Sequence, residues 1–92
     1  MKHCILVKFK KDYNWKCELP NIQRIFNSIN LDGVNFVEYL TNCIDGDNRY
    51  DLLIRIDMDK SALAKYDECP NHHEWKDTYS DFIDKKAIFD YE

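Results

Sequence analysis

The segment from Lys2 to Lys10 carries apolar residues on both sides of a strand. Successive side chains of a strand point to opposite faces, which puts His3, Ile5, Val7 and Phe9 on one face and Cys4, Leu6 and Lys8 on the other. Such a strand needs cover twice, from helices on one side and from a further layer on the other. The chain has 92 residues, enough for one core and one domain spanning 1–92. Small domains bury a smaller fraction of their surface than large ones, so help from a second subunit is expected.

Helical spacing follows the first strand. Trp15, Leu19, Ile22, Phe26 and Ile29 recur at intervals of four and three, the stripe of an amphipathic helix. Pro20 disfavours helix at the residue before it, so the helix is expected from about Pro20 to Asn30, with residues 14–19 left open and Asn14 available as a cap. Asp32-Gly33 supplies a turn. Val34 to Leu40 and Tyr50 to Met58 are rich in β-branched and aromatic residues and read as two strands joined by the polar loop Asp45-Gly46-Asp47-Asn48. A helix capped at Asp59, with Leu63 and Tyr66 inward, runs to near Pro70. A further helix starts at Pro70 and extends to about Asp84, its buried stripe His72, Trp75, Tyr79 and Phe82. Lys86 to Tyr91 closes the chain as a strand with Ala87, Phe89 and Tyr91 on one face. The order β-α-β-β-α-α-β predicts a ferredoxin-like α+β unit, a four-stranded antiparallel sheet with helices on one face.

Composition narrows the function. Thirteen basic residues against 17 acidic ones give a net charge of −4, and the Lys and Arg are scattered. Nucleic acid and anionic membranes demand a concentrated basic face, so neither is an expected partner. The apolar run Cys4 to Val7 is too short for a signal-peptide core or a membrane span, and a cytoplasmic location is expected. Cys4, Cys17, Cys43 and Cys69 are isolated, without a C-x-x-C pair, and read as free thiols. Two glycines exclude glycine-rich phosphate loops and a dinucleotide fingerprint, and no cofactor is expected.

Particular residues carry a resemblance beyond fold class. The opening Lys2-His3-Cys4-Ile5-Leu6-Val7-Lys8-Phe9-Lys10 is similar to the "KHIVLFKFK" start of the stress-responsive A/B barrel family, the dimeric α+β barrel (Dabb) domain. Tyr66 to His73 resembles its "Y-x-x-H-P-x-H" motif, Leu31-Asp32-Gly33-Val34 its "I-P-G-V" turn, and Ile88 to Glu92 its "V-x-D-Y-E" close. The resemblance covers nearly the whole chain. It implies a homodimer in which two four-stranded sheets meet through their faces as a barrel with the helices outside. The second face of the first strand, Cys4 and Leu6, would find its cover there. The chain departs from the pattern at Cys69, which stands for the motif's first histidine, and at Pro20 in the first helix.

Three residues are candidates for chemistry. His72, in the first turn of a helix, meets the positive end of the dipole, which favours its neutral form. Tyr66 lies on the preceding helix and His3 on the helix-facing side of the first strand, so the three converge on one apolar cleft between sheet and helices. A small apolar molecule is the expected occupant. A plant branch of the family, a polyketide cyclase, resembles this arrangement at His72, Tyr66 and His3, while Leu52 stands where the cyclase has a further histidine. By that resemblance neutral His72 takes a proton from a carbon next to a carbonyl and Tyr66 hydrogen-bonds the oxygen that gains charge. Each also has a structural reading: His72 as a hydrogen-bonded residue at a helix start, Tyr66 as a core aromatic, His3 as a buried, satisfied histidine.

A designed metal site is not expected. Cys69, His72 and His73 lie close together, but a closed zinc site needs four ligands and no second pair is near. Asp45, Asp47 and Asp51 lack the bidentate Glu of a calcium loop. Three classes remain: a homodimeric protein without chemistry, a small-molecule enzyme of the cyclase or lyase kind, and, by analogy of fold alone, a cofactor-independent oxygenase.

Overall fold

The first strand, β1 (Lys2–Phe9), is hydrogen-bonded along both edges in the computed structural model, which describes residues 1–92. It is followed by α1 (Trp15–Asn27), β2 (Val34–Thr41), β3 (Leu52–Met58), α2 (Leu63–Glu68), α3 (Pro70–Tyr79) and β4 (Ile83–Tyr91). Short 3-10 turns, Lys60–Ala62 and Ser80–Phe82, lead into α2 and out of α3. The sheet order is β2-β3-β1-β4 and every pairing is antiparallel, the ferredoxin-like α+β arrangement expected from the sequence. Ile5 stands opposite Ile54 on β3 and Ile88 on β4, so the middle of β1 is the middle of the sheet. No helix is long and apolar enough to cross a membrane.

The core lies between the helices and the sheet face that carries Ile5, Val7 and Phe9 of β1 and Leu52, Ile54, Ile56 and Met58 of β3. Ile22, Ile25 and Phe26 of α1, Tyr66 of α2, and Trp75 and Tyr79 of α3 close on them, all fully buried. Burial of such side chains stabilises by roughly 1.5–3 kcal/mol each. Phe26 and Trp75 meet edge to face at 5.3 Å, joining α1 to α3. Polar bonds fix the same junction. Tyr79 Oη accepts from Asn21 at 2.8 Å and donates to Glu18 at 3.1 Å, and the Asn71 amide donates to the Ile25 carbonyl at 2.7 Å.

The bounds of α1, α3 and β4 differ from those expected by three residues or more. First, α1 begins at Trp15 and runs through Pro20, ending at Asn27 rather than Asn30. Proline removes only one helical donor here, and the acceptor it deprives is the carbonyl of Lys16, an exposed residue to which water has access. Packing of Ile22, Ile25 and Phe26 outweighs that loss. Asn14 occupies the N-cap position, but its amide turns to Cys17 Sγ and caps no backbone N–H. At the other end Ser28 Oγ bonds back to the Arg24 carbonyl at 2.8 Å and stops the helix.

Second, α3 ends at Tyr79, short of Asp84; third, β4 begins at Ile83, ahead of Lys86. The cause is β1, whose end pairs Phe9 with Ile83 while the Lys10 N–H donates to the Phe82 carbonyl at 2.9 Å. Strand hydrogen bonds thus take residues that helical periodicity had claimed. Phe82, expected in the core, is 41% exposed and stacks on Tyr13 at 4.3 Å. Trp15 is half-buried at the margin of the core, stacked on Phe9 at 5.6 Å.

The opposite sheet face has no helix. The register places Cys4 and Leu6 of β1, Phe36 and Leu40 of β2, Leu53 and Arg55 of β3, and Ala87, Phe89 and Tyr91 of β4 on it. Phe36, Leu40 and Phe89 are 51%, 47% and 62% exposed. Cross-strand charges are paired, Arg55 with Glu38 at 2.6 Å and Lys2 with Asp57.

The turn into β2 depends on Gly33, whose φ of +88° lies in the left-handed region, and a Cβ there would sit 3.1 Å from Ala62 Cβ and 3.2 Å from Asp59 Oδ2. Gly33→Ala is expected to destabilise by about 2 kcal/mol. In urea denaturation at fixed protein concentration the midpoint falls with the slope unchanged. Gly46→Ala, whose new Cβ would meet only flexible side-chain atoms of the exposed loop at residues 42–49, is expected to change the midpoint little.

Candidate functional site

Pro70 builds the site by dividing one helical stretch into two. It occupies the first position of α3, where its missing N–H is not needed, and it holds Cys69 in an extended conformation with φ −74° and ψ 154°. The chain turns there, and the first turn of α3 lies back on α2. His72 Nδ1–H donates to the Asp67 carbonyl at 2.9 Å, and the His72 ring lies 4.9 Å from that of Tyr66. From the sheet, His3 meets the same Tyr66 ring edge-on at 5.4 Å. The three residues singled out in the sequence are therefore brought together around Tyr66.

They line a cleft of about 290 Å³ between α2, α3 and the β1–β4 half of the sheet. Ile5, Leu63, Trp75 and Ile88 form its apolar wall, and Lys86 and Asp90 of β4 add charge. Tyr66 is wholly buried, and its hydroxyl is sealed from solvent without a hydrogen-bond partner in the chain. Buried hydroxyls are nearly always paired, which makes this one the exception to be explained. Burial, with the neighbouring Asp67 carboxylate adding to it, pushes the Tyr66 hydroxyl well above the ordinary tyrosine range, so it is a proton donor at neutral pH.

His72 is shifted the other way. Burial, as the largest cause, holds it below the usual histidine value, against the opposing pull of its bond to the Asp67 carbonyl. The neutral ring expected at this helix start is thus favoured, chiefly by desolvation. A carbonyl only accepts, so the proton of the neutral ring sits on Nδ1 and Nε2 keeps its lone pair.

Asp67, Lys86 and Asp90 went unrecognised in the sequence. The alternation that puts Ala87, Phe89 and Tyr91 on one face also puts Lys86, Ile88 and Asp90 on the other, but only the register shows that Asp90 lies opposite His3. Leu52 is buried in the core and does not line this cleft. No group of three or more His, Cys, Asp or Glu side chains is gathered in metal-binding geometry. Cys69 is buried and His73 exposed, and Asp51 accepts from the Phe9 N–H at 2.8 Å at the end of the sheet. All four cysteines are free.

The depressed pKa of His72 has a thermodynamic consequence. The unfolded chain binds this proton more readily than the folded one, so the stability tied to neutral His72 is present above about pH 6.5 and is lost as pH falls toward the lower folded value. A histidine-ring NMR titration is expected to place the His72 midpoint below 6.5; a midpoint at or above 6.5 contradicts the burial argument.

No family model matches the chain, and neither does any curated protein. Solved structures do. A dabb family protein with a ferredoxin-like fold from Mesorhizobium loti superposes with a TM-score of 0.79 at 22% identity, over 99% of this chain and 93% of that one. A protein of Arabidopsis thaliana gives 0.77 at 18% identity over 99% and 92%. A dimeric ferredoxin-like protein of unknown function from Thermobifida fusca gives 0.79 at 11% identity over 96% and 85%. Along nearly its full length this chain therefore has the ferredoxin-like fold of a dabb family protein, as its sequence resemblance implied.

Proposed function

We propose that the chain is a stress-responsive A/B barrel domain protein that pairs with a second copy through its open sheet face and binds a small, largely apolar molecule in the cleft around Tyr66. The observation that carries the binding reading is the Tyr66 hydroxyl, sealed and unpartnered beside His72 in an apolar cleft. A ligand carbonyl or similar acceptor satisfies it when the side chains that cover it shift aside. The apolar wall takes the rest of the molecule, the usual division of labour in a small-molecule site.

Pairing of copies rests on the open face. Phe36, Leu40 and Phe89 are more exposed than a sheet face left to water ordinarily allows, and the Thermobifida fusca protein of the same fold is described as dimeric. The cross-strand pairs Arg55–Glu38 and Lys2–Asp57 neutralise the charges that such a contact covers. The absence of nucleic-acid and anionic-membrane partners rests on the net charge of −4 and the scattered basic residues. Sedimentation at micromolar concentration is expected to show a dimer and Phe89→Asp a smaller species; a compact, stable wild-type monomer sinks the pairing.

One observation favours an enzymatic second reading of the cyclase or lyase kind. Neutral His72, with its proton held on Nδ1, offers Nε2 as a base next to a hydroxyl able to stabilise a developing enolate. His72 Nε2 takes a proton from the carbon next to a ligand carbonyl, the C–H electron pair forms a carbon–carbon double bond as the carbonyl π pair moves onto the oxygen, and Tyr66 hydrogen-bonds that oxygen. His72 and Tyr66 are the catalytic residues in this reading, with His3 lining the same cleft.

Tyr66→Phe tests the binding reading in two opposite directions. Removing an unpaired buried hydroxyl is expected to stabilise the ligand-free protein by about 1 kcal/mol, while ligand affinity falls about tenfold. Benzoylacetone, an apolar 1,3-diketone, is a suitable probe, with affinity read from the ring signals of His72. Unmoved His72 signals at the highest soluble concentration count against the cleft as a binding site. A Tyr66→Phe protein that is less stable than wild type shows instead that the hydroxyl is satisfied within the fold.

A further inference from the structure

His3 is held differently from His72, and the difference gives the cleft a second basic atom. His3 is 6% exposed and stands opposite Asp90 across the β1–β4 pairing. Its Nδ1 hydrogen-bonds Asp90 Oδ1 at 2.5 Å. An ionised carboxylate only accepts, so the proton on this edge belongs to Nδ1. Nε2 makes no hydrogen bond within the chain. Tyr66 Oη and Arg55 Nε are sealed from solvent without a partner, His3 Nε2 is not among such atoms, and His3 lines the cleft. The ionisable groups of that cleft are Tyr66 and Asp67 on α2, His72 on α3, and Lys86 and Asp90 on β4, and the β3 neighbour of His3 is Ile56.

We propose that Asp90 is a positioning residue that fixes the tautomer of His3, so that the ring in its neutral form presents Nε2 to the cleft as a proton acceptor alongside His72 Nε2. The reasoning is the one by which a carboxylate orients an imidazole in a hydrolase triad: it selects the protonated nitrogen and leaves the other free to act. His72 obtains the same tautomer from a backbone carbonyl, His3 from a side chain. The cleft then offers two acceptors, and the Tyr66 hydroxyl becomes its donor once the side chains that seal it give way. Its complement is a small apolar molecule that presents an acceptor and a nearby O–H donor, as the enol of a 1,3-dicarbonyl compound does. This choice of ligand rests on the binding reading above; the role of Asp90 does not.

The Asp90 side chain is 38% exposed, so its replacement leaves no buried cavity. Long-range proton–nitrogen NMR of the histidine rings at neutral pH is expected to show His3 protonated on Nδ1 and bare on Nε2 in the wild type. Asp90→Ala moves the proton of His3 to Nε2 and leaves His72 unchanged, and Asp90→Asn, which keeps an acceptor oxygen, retains the wild-type form. A wild-type His3 protonated on Nε2, alone or together with Nδ1, or an Asp90→Ala protein with an unaltered tautomer, overturns the assignment.

Affinity for two probes tests the ligand class. Wild type is expected to bind benzoylacetone about tenfold more tightly than its 2,2-dimethyl derivative, which has no enol, and Asp90→Ala to lose that preference. Equal wild-type affinities overturn the enol preference. Failure of both probes to bind overturns the ligand class together with the binding reading, while the tautomer measurement still decides the role of Asp90.

Discussion

The structure depends on β1 being paired along both edges. A strand in that position must satisfy two rows of backbone groups, and it carries apolar residues on two faces, of which the helices cover one. β3 and β4 supply the hydrogen bonds. The three helices cover the face that carries Ile5, Val7 and Phe9, and the face that carries Cys4 and Leu6 joins the apolar side chains of the other three strands. The same pairing shortens the last helix, because the end of β1 takes Phe82 and Ile83 into the sheet. It also brings Asp90 to His3.

The cleft is a place where two devices meet. Pro70 turns α3 back on α2 and sets His72 against Tyr66, and the β1–β4 register adds the histidine and carboxylate of the sheet. The outcome is a polar cluster inside apolar walls in which His72 Nδ1 and His3 Nδ1 have partners and the Tyr66 hydroxyl has none. The exception, the Tyr66 hydroxyl, costs about 1–3 kcal/mol while it stays unpaired. Such a cost in a small domain is what the proposed binding of a ligand would offset.

Much of this was legible in the residues. Period-two alternation identifies β1 and β3, and the four-three spacing of Ile22, Phe26, Trp75 and Tyr79 identifies the buried sides of α1 and α3, because both patterns follow from local backbone geometry. His3, Tyr66 and His72 were readable as neighbours because the topology leaves few places for them. The failures share one cause. Pro20 inside α1, Phe82 outside the core and Ile83 at the start of β4 all reflect local preference overruled by contacts with distant segments.

The sequence by itself determined the element order, the two apolar faces of the first strand and the turn at Pro70, since each is set by residues within a few positions of one another. Only the tertiary structure decided which partners those elements meet. Asp90 is 87 residues from His3 and becomes its hydrogen-bond partner solely through strand register, a property of two segments jointly and of neither alone. The unpaired state of the Tyr66 hydroxyl was decided in the same way, for whether a buried group finds a partner depends on every element packed around it.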